Sequence, residues 1–307
     1  MNSAARVEMR TPADGTAAAV RPLLELRAQL GEGLHWDATR GCLWLVDIEG
    51  QRLIRWVPGA ARWDEWDTPQ RLGWVLPRLR GDELVLGFAQ GMARALIDGN
   101  SLEWSWIRRP YESQPWMRLN DAKMDSYGTI WAGSMNQRDE TSADGCLLRL
   151  RTDGNLTCID SGYAVPNGPA IRADGRLMLH TDSARRVIYA FDLNVSDGSV
   201  SNKREWRRFG PDEGSPDGMC FDRDGCVWVA HWGAGCVCRY GTDGRLLRRV
   251  PMPATLVTNV CFCGPGLARL VVTTARRGLD AGQLAREPLA GSLFEVLDPR
   301  TSGFHWA

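Results

Sequence analysis

The chain has 307 residues, 44% of them hydrophobic, and its 37 basic residues balance its 37 acidic ones. That is ample material for a sizeable core, and closed all-β folds of this length often form a single domain. Balanced charge gives no electrostatic reason to expect nucleic acid or an anionic membrane as a partner, and no apolar run approaches the ~18 residues of a membrane-spanning helix.

In chain order, Arg6, Glu8, Arg10 and Asp14 interrupt the alanines of the N-terminus and leave no apolar run fit for a secretory signal. Residues 1–20 are expected to be loosely ordered, and residues 21–307 to form one domain. Within it a strand-like run recurs behind a turn, at residues 41–46, 81–86, 128–132, 175–179, 225–229 and 266–271. A second run follows each of the six, at 50–55, 91–96, 145–150, 185–190, 235–240 and 291–296. The runs are rich in β-branched and aromatic residues, and Asp-Gly pairs at 153–154, 174–175 and 243–244 mark turns between them.

A period of roughly 40–50 residues with several strands per unit is the signature of a propeller blade. The expected fold is therefore all-β: six four-stranded antiparallel blades closed into a six-bladed β-propeller around a central channel. Trp44, Trp131 and Trp228 should then occupy equivalent places in their blades. Seven of the nine cysteines (Cys42, Cys146, Cys226, Cys236, Cys238, Cys261 and Cys263) lie inside apolar runs. They read as free buried thiols in a reducing compartment, which makes the cytoplasm the expected location. A zinc site built from the two Cys-x-Cys pairs is the rival, although zinc sites usually space their cysteines more widely.

The mouth of such a channel collects loops from every blade, so polar residues just before the repeat strands are the site candidates. Glu32 lies between Gly31 and Gly33, Asn167 in Val165-Pro166-Asn167-Gly168-Pro169, and Asp217 in Ser215-Pro216-Asp217-Gly218-Met219. Singly, Pro-Asn-Gly and Pro-Asp-Gly are ordinary turns and Glu32 is a solvated loop carboxylate. Together they come from three blades at corresponding places, from which they could converge on the axis. His35, His180 and His231 read as structural, with His231 close enough to a repeat strand to reach the pocket mouth. No G-x-S-x-G, H-E-x-x-H or Walker motif occurs.

The chain resembles the regucalcin/gluconolactonase family, the senescence-marker group of sugar lactone lactonases on six-bladed propellers. The likeness rests on Leu30-Gly31-Glu32-Gly33, on Arg118-Leu119-Asn120-Asp121-Ala122-Lys123-Met124-Asp125 and on Trp131-Ala132-Gly133-Ser134-Met135. Pro166-Asn167-Gly168, Ser215-Pro216-Asp217-Gly218-Met219-Cys220 and Val227-Trp228-Val229-Ala230 continue it in the same order. The resemblance implies one divalent cation held by Glu32, Asn167 and Asp217. Such hard ligands suit Ca, Mg or Mn, and ligand type alone does not separate these from Zn or Fe. It further implies that Arg118 and Asn120 bind the substrate and that Asp217 doubles as general base. Asp121 and Lys123 are assigned to a supporting layer, as an ion pair if they meet, and Trp116 to a sugar-stacking wall.

The implied reaction is hydrolysis of a sugar lactone, gluconolactone-like or arabinono- and xylonolactone-like, to the open aldonic acid, with no obligatory protein partner. An organophosphate or ester hydrolase on the same propeller, and a non-enzymatic calcium-binding regulatory propeller, are the alternatives. One departure stands out: many relatives carry a glutamate soon after the Met135 motif, whereas Asn136-Gln137-Arg138 follow here. If that loop lines the pocket, Arg138 should favour acceptor-rich parts of a smaller, five-carbon lactone.

Overall fold

A strand with packed neighbours on both faces cannot alternate apolar and polar residues, and Leu43, Trp44, Leu45 and Val46 show the consequence at 0–1% exposure each. The computed structural model describes residues 20–78 and 81–305. The loose ordering expected of residues 1–20 falls, apart from Val20, outside that range. Among the described residues twenty-four strands form six four-stranded antiparallel sheets, the blades of a six-bladed β-propeller. No helix among the described residues is long and apolar enough to cross a membrane.

The six inner strands are Gly31–Asp37, Leu72–Pro77, Met117–Met124, Pro166–Ile171, Ser215–Phe221 and Val257–Cys263, each packed against the next around the ring. The repeating runs of the sequence become the second and third strands of the blades, with small shifts at their ends. In blade six, for instance, Gly266 at φ +63° belongs to a turn, and the second strand begins at Arg269. The outer strands are the most solvated, as in Ser199–Arg208.

Blade six takes its fourth strand from the other end of the chain. Val20–Leu24 pairs antiparallel with Leu293–Val296, and Arg21 reaches Glu295 at 2.7 Å. Its Pro22, which has no N–H to donate, is tolerated because this is a blade edge.

Trp44, Trp131 and Trp228 do occupy equivalent places, each paired across the sheet with the inner-strand residue two before an aspartate. Each indole N–H donates to that aspartate: to Asp37 at 3.4 Å, Asp125 at 3.0 Å and Asp222 at 3.2 Å. The same carboxylates accept backbone N–H groups of the turn that follows, so one side chain closes the turn and pins the second strand. Asp222 does most, since it also accepts from Arg239 Nε at 2.7 Å and from the amides of Asp224 and Cys226.

Replacing Asp222 with alanine strands a buried indole and two amides and leaves Arg239 only its pair with Asp224, so Asp222→Ala should lower unfolding stability by about 3 kcal/mol. Arg208→Ala, which removes the exposed pair with Glu205, should leave the chemical-denaturation midpoint unchanged. Similar midpoints for the two variants would show that the clip is not structural.

Candidate active site

Every inner strand slips register once against its neighbour, and the slips fall where the candidate residues stand. Glu32 and Asn167 are the last paired residues before a slip, while Asn120 and Asp217 lie inside one. Such an irregularity turns side chains away from the blade faces. The strands crowd closely at these points. A Cβ on Gly218 would lie 2.4 Å from the Asn259 side chain of the next blade.

Glu32, Arg118, Asn120, Asn167 and Asp217, all buried, line a single cavity of ≈ 300 Å³ at one end of the channel. A hydrogen-bonded chain sets most of their orientations. Arg118 Nη1 donates to Asn120 Oδ1 at 2.6 Å, and Asn120 Nδ2 donates to Asn167 Oδ1 at 2.9 Å and to the Pro166 carbonyl at 2.8 Å. Asn167 Nδ2 then donates to Ser183 Oγ at 2.9 Å, which donates to the Pro216 carbonyl at 2.6 Å, directly before Asp217. Across the channel Glu32 Oε2 accepts from the Gly33 amide at 2.8 Å and from Asn259 Nδ2 at 2.7 Å.

The electrostatics are those of negative charge held out of water. Burial, and then the charge of Asp121, push Glu32 up to about 8. Burial followed by the charges of Glu32 and Asp121 raises Asp217 well above the usual carboxylate range. Burial also lifts Asp121 to about 6, against the pull of Lys123 and of the amides of Ala122 and Gly168. Burial alone would depress Lys123, but the charge of Asp121 above all holds its ammonium above the ordinary lysine value. Asp121 and Lys123 thus act on each other through space without closing an ion pair, since Asp121 bonds the Ala122 and Gly168 amides and Lys123 the Leu34 carbonyl.

Asp217 Oδ1 is buried with no hydrogen-bond partner. With Glu32 and the second lone pair of Asn167 Oδ1 nearby, the donor set fits a divalent cation, whose charge would offset the carboxylates that the fold leaves repelling one another. No three His, Cys, Asp or Glu side chains among the described residues form a metal cage by themselves; here the third oxygen is an amide. Arg118, lowered to about 10 by burial, has no carboxylate within ion-pair distance among the described residues, and beyond the bonds of Nη1 to the Leu119 carbonyl and Asn120 it keeps its remaining donors for the cavity.

Two expectations are corrected. Arg138 is exposed and does not line the cavity; its loop turns on Asn136, and Glu140 is the residue that reaches the site. Trp116 is 37% exposed and also absent from the lining, where Trp232 supplies the aromatic wall instead. His231, in keeping with its structural reading, is buried between the Glu213 carbonyl (2.7 Å) and Tyr240 OH (2.9 Å) and does not line the cavity. His180, lowered to about 3 by burial, packs edge-on against Tyr163. Cys236 and Cys238 lie side by side with sulfurs 3.8 Å apart, and all nine cysteines are free thiols. Sequence reasoning missed Asn259, Ser183, Trp232 and Arg277. Asn259 alone left a signal, because it stands in the inner strand of the sixth repeat where other repeats carry their polar residue.

The family model described as the SMP-30/Gluconolactonase/LRE-like region matches residues 30–276. The chain is 35% identical to the L-arabinolactonase of Azospirillum brasilense, over 92% of each chain. It is 33% identical to a pentonolactonase of Haloferax volcanii, over 90% of this chain and 94% of that one. A solved structure of the calcium-binding protein regucalcin from Agrobacterium tumefaciens superposes with a TM-score of 0.88 at 25% identity, covering 94% of this chain and 96% of the other.

The buried carboxylates generate a test on the metal-free protein. Their raised values make their contribution to stability full at low pH and lost as pH rises through about 8, where Glu32 ionises. Asp217→Asn removes one of the repelling charges, so without metal it should be more stable than the native protein by about 1–2 kcal/mol at pH 9. At pH 6, where Glu32 still holds its proton, the gain should be smaller. A native protein that holds its stability from pH 6 to 9 as well as the variant does would exclude a repelling cluster.

Proposed function

Because the chain belongs to the SMP-30/gluconolactonase/LRE-like family, we propose that it is a divalent-metal-dependent lactonase that opens a monosaccharide lactone to its aldonic acid. The observation that carries the reading is the convergence of Glu32, Asn167, Asp217, Arg118 and Asn120 on one cavity, with a carboxylate oxygen of Asp217 left unpaired there. The names of the pentonolactonase and L-arabinolactonase relatives support the substrate class. A cavity of ≈ 300 Å³ lies at the small end of ligand pockets and suits one sugar ring rather than two. Pentonolactones and hexonolactones both fit that description.

A cation held by Glu32, Asn167 and Asp217 would supply a Lewis acid for the lactone carbonyl. Asp217 accepts a proton from the attacking water as the new C–O bond forms. The ring C–O bond then breaks and the proton passes to the departing ring oxygen, leaving a carboxylic acid and a hydroxyl. Arg118 can only donate, and so serves the ring oxygen or sugar hydroxyls. Asn120 is held by Arg118 and the Pro166 carbonyl and keeps Arg118 and Asn167 at a fixed separation.

Chelation should abolish turnover of a panel of aldonolactones, and added divalent cation should restore it. Asp217→Asn should lose about 10³-fold in kcat even in excess metal, whereas Glu32→Gln should be largely rescued by excess metal. Equal rescue of both would reduce Asp217 to a ligand. Metal-loaded native protein that opens no lactone would favour the cation-binding reading over the enzymatic one.

A further inference from the structure

Glu140 lies in the connection between the second and third strands of blade three, and Arg277 in the matching connection of blade six. In a ring of six these blades stand opposite each other. The 2.8 Å pair between Glu140 Oε1 and Arg277 Nη2 therefore spans the channel mouth along a diameter, and both residues line the cavity that holds Glu32 and Asp217.

The two roots of this bridge are fixed. The Gln137 amide donates to the Trp116 carbonyl at 2.8 Å and its side-chain Nε2 to the Pro115 carbonyl at 2.8 Å. Gln137 also accepts from Arg71, itself paired with Glu49 at 2.6 Å. On the far side the amides of Arg276 and Arg277 both donate to the Gln29 carbonyl. The tip is different. Arg138, Asp139 and Glu140 are exposed, and among the described residues the Glu140–Arg277 pair is the only hydrogen bond or ion pair joining this loop to blade six. Its side chains are 46% and 41% exposed, so the pair is weak, screened by salt and easily parted.

Resting on the lactonase reading above, we propose that Glu140 and Arg277 form a latch across the mouth and determine the size of the lactone the site accepts. Closed, the latch leaves room beside it for one sugar ring. A lactone that carries a second ring must wait for the pair to open.

The test compares kcat/KM for cellobionolactone, which has two rings, with that for gluconolactone, in the metal-loaded full chain. Glu140→Gln and Arg277→Gln should each raise the cellobiono-to-glucono ratio at least three-fold, and exchanging the charges (Glu140→Arg with Arg277→Glu) should return it towards the native value. Raising salt from about 20 to about 500 mM should raise the native ratio and leave those of the neutral variants unmoved. A ratio indifferent to either neutral substitution, or a charge exchange that behaves like the neutral variants, would overturn the latch. If the native protein opens neither lactone, the lactonase reading fails on its own. Deuterium uptake by residues 138–142 then decides the latch: exchange up to roughly five-fold faster in both neutral variants sustains it, and unchanged exchange removes it.

Discussion

A four-stranded blade with apolar residues on both faces has nowhere to hide them except against two other blades, and that requirement is met only when the ring closes. The rest of the molecule depends on this closure. It brings six inner strands to a common axis, so close together that side chains as small as a methyl group have no space at positions such as Gly218. The same crowding buries Glu32, Asp121 and Asp217, which is why they meet a low dielectric there although each lies near a channel. The unusual chemistry of the site is a by-product of the geometry that buries Trp44 and Trp131.

Three carboxylates in such a place are a cost that the fold meets only in part. The Ala122 and Gly168 amides serve Asp121, the Gly33 amide and Asn259 serve Glu32, and Lys123 supplies one positive charge. Asp217 receives least of this help at Oδ1. A site optimised for stability would have placed a donor there. The absence of one is what leaves an oxygen available for a ligand, an instance of function occupying a position that stability would fill otherwise.

The blades were legible in the sequence because the second and third strands repeat with turn glycines and apolar runs, and burial on both faces makes those runs continuous. The inner strands were legible only through residues such as Glu32 and Asn167, since their register slips break any simple alternation. The fourth strand of blade six was invisible, because pairing between Val20–Leu24 and Leu293–Val296 leaves no local trace. Within the site, Glu32, Arg118, Asn120, Asn167 and Asp217 sat in motifs of recognisable order. Trp232, Glu140 and Arg277 reach the cavity from the rims of blades, where loop length and direction are set by tertiary packing. Arg138 was misplaced for the same reason: counting along the loop from Met135 says nothing of how Asn136 caps the turn and sends the next side chain to solvent.

The strand borrowed by blade six also imposes a timetable. On the ribosome Val20–Leu24 emerges ahead of every other strand of the propeller and its partner Leu293–Val296 after all of them, so the nascent polypeptide must carry an unmatched edge while the five intervening blades are made. Until Phe294 and Val296 arrive, the groups that will pair with them remain open to any passing strand, and Pro22 and Arg21 are the features of the early segment that discourage such mispairing. Blades one to five can assemble as they are made, each on the one before it. The ring as a circle exists only once synthesis has reached the sixth, and from then on no blade can leave without opening the whole.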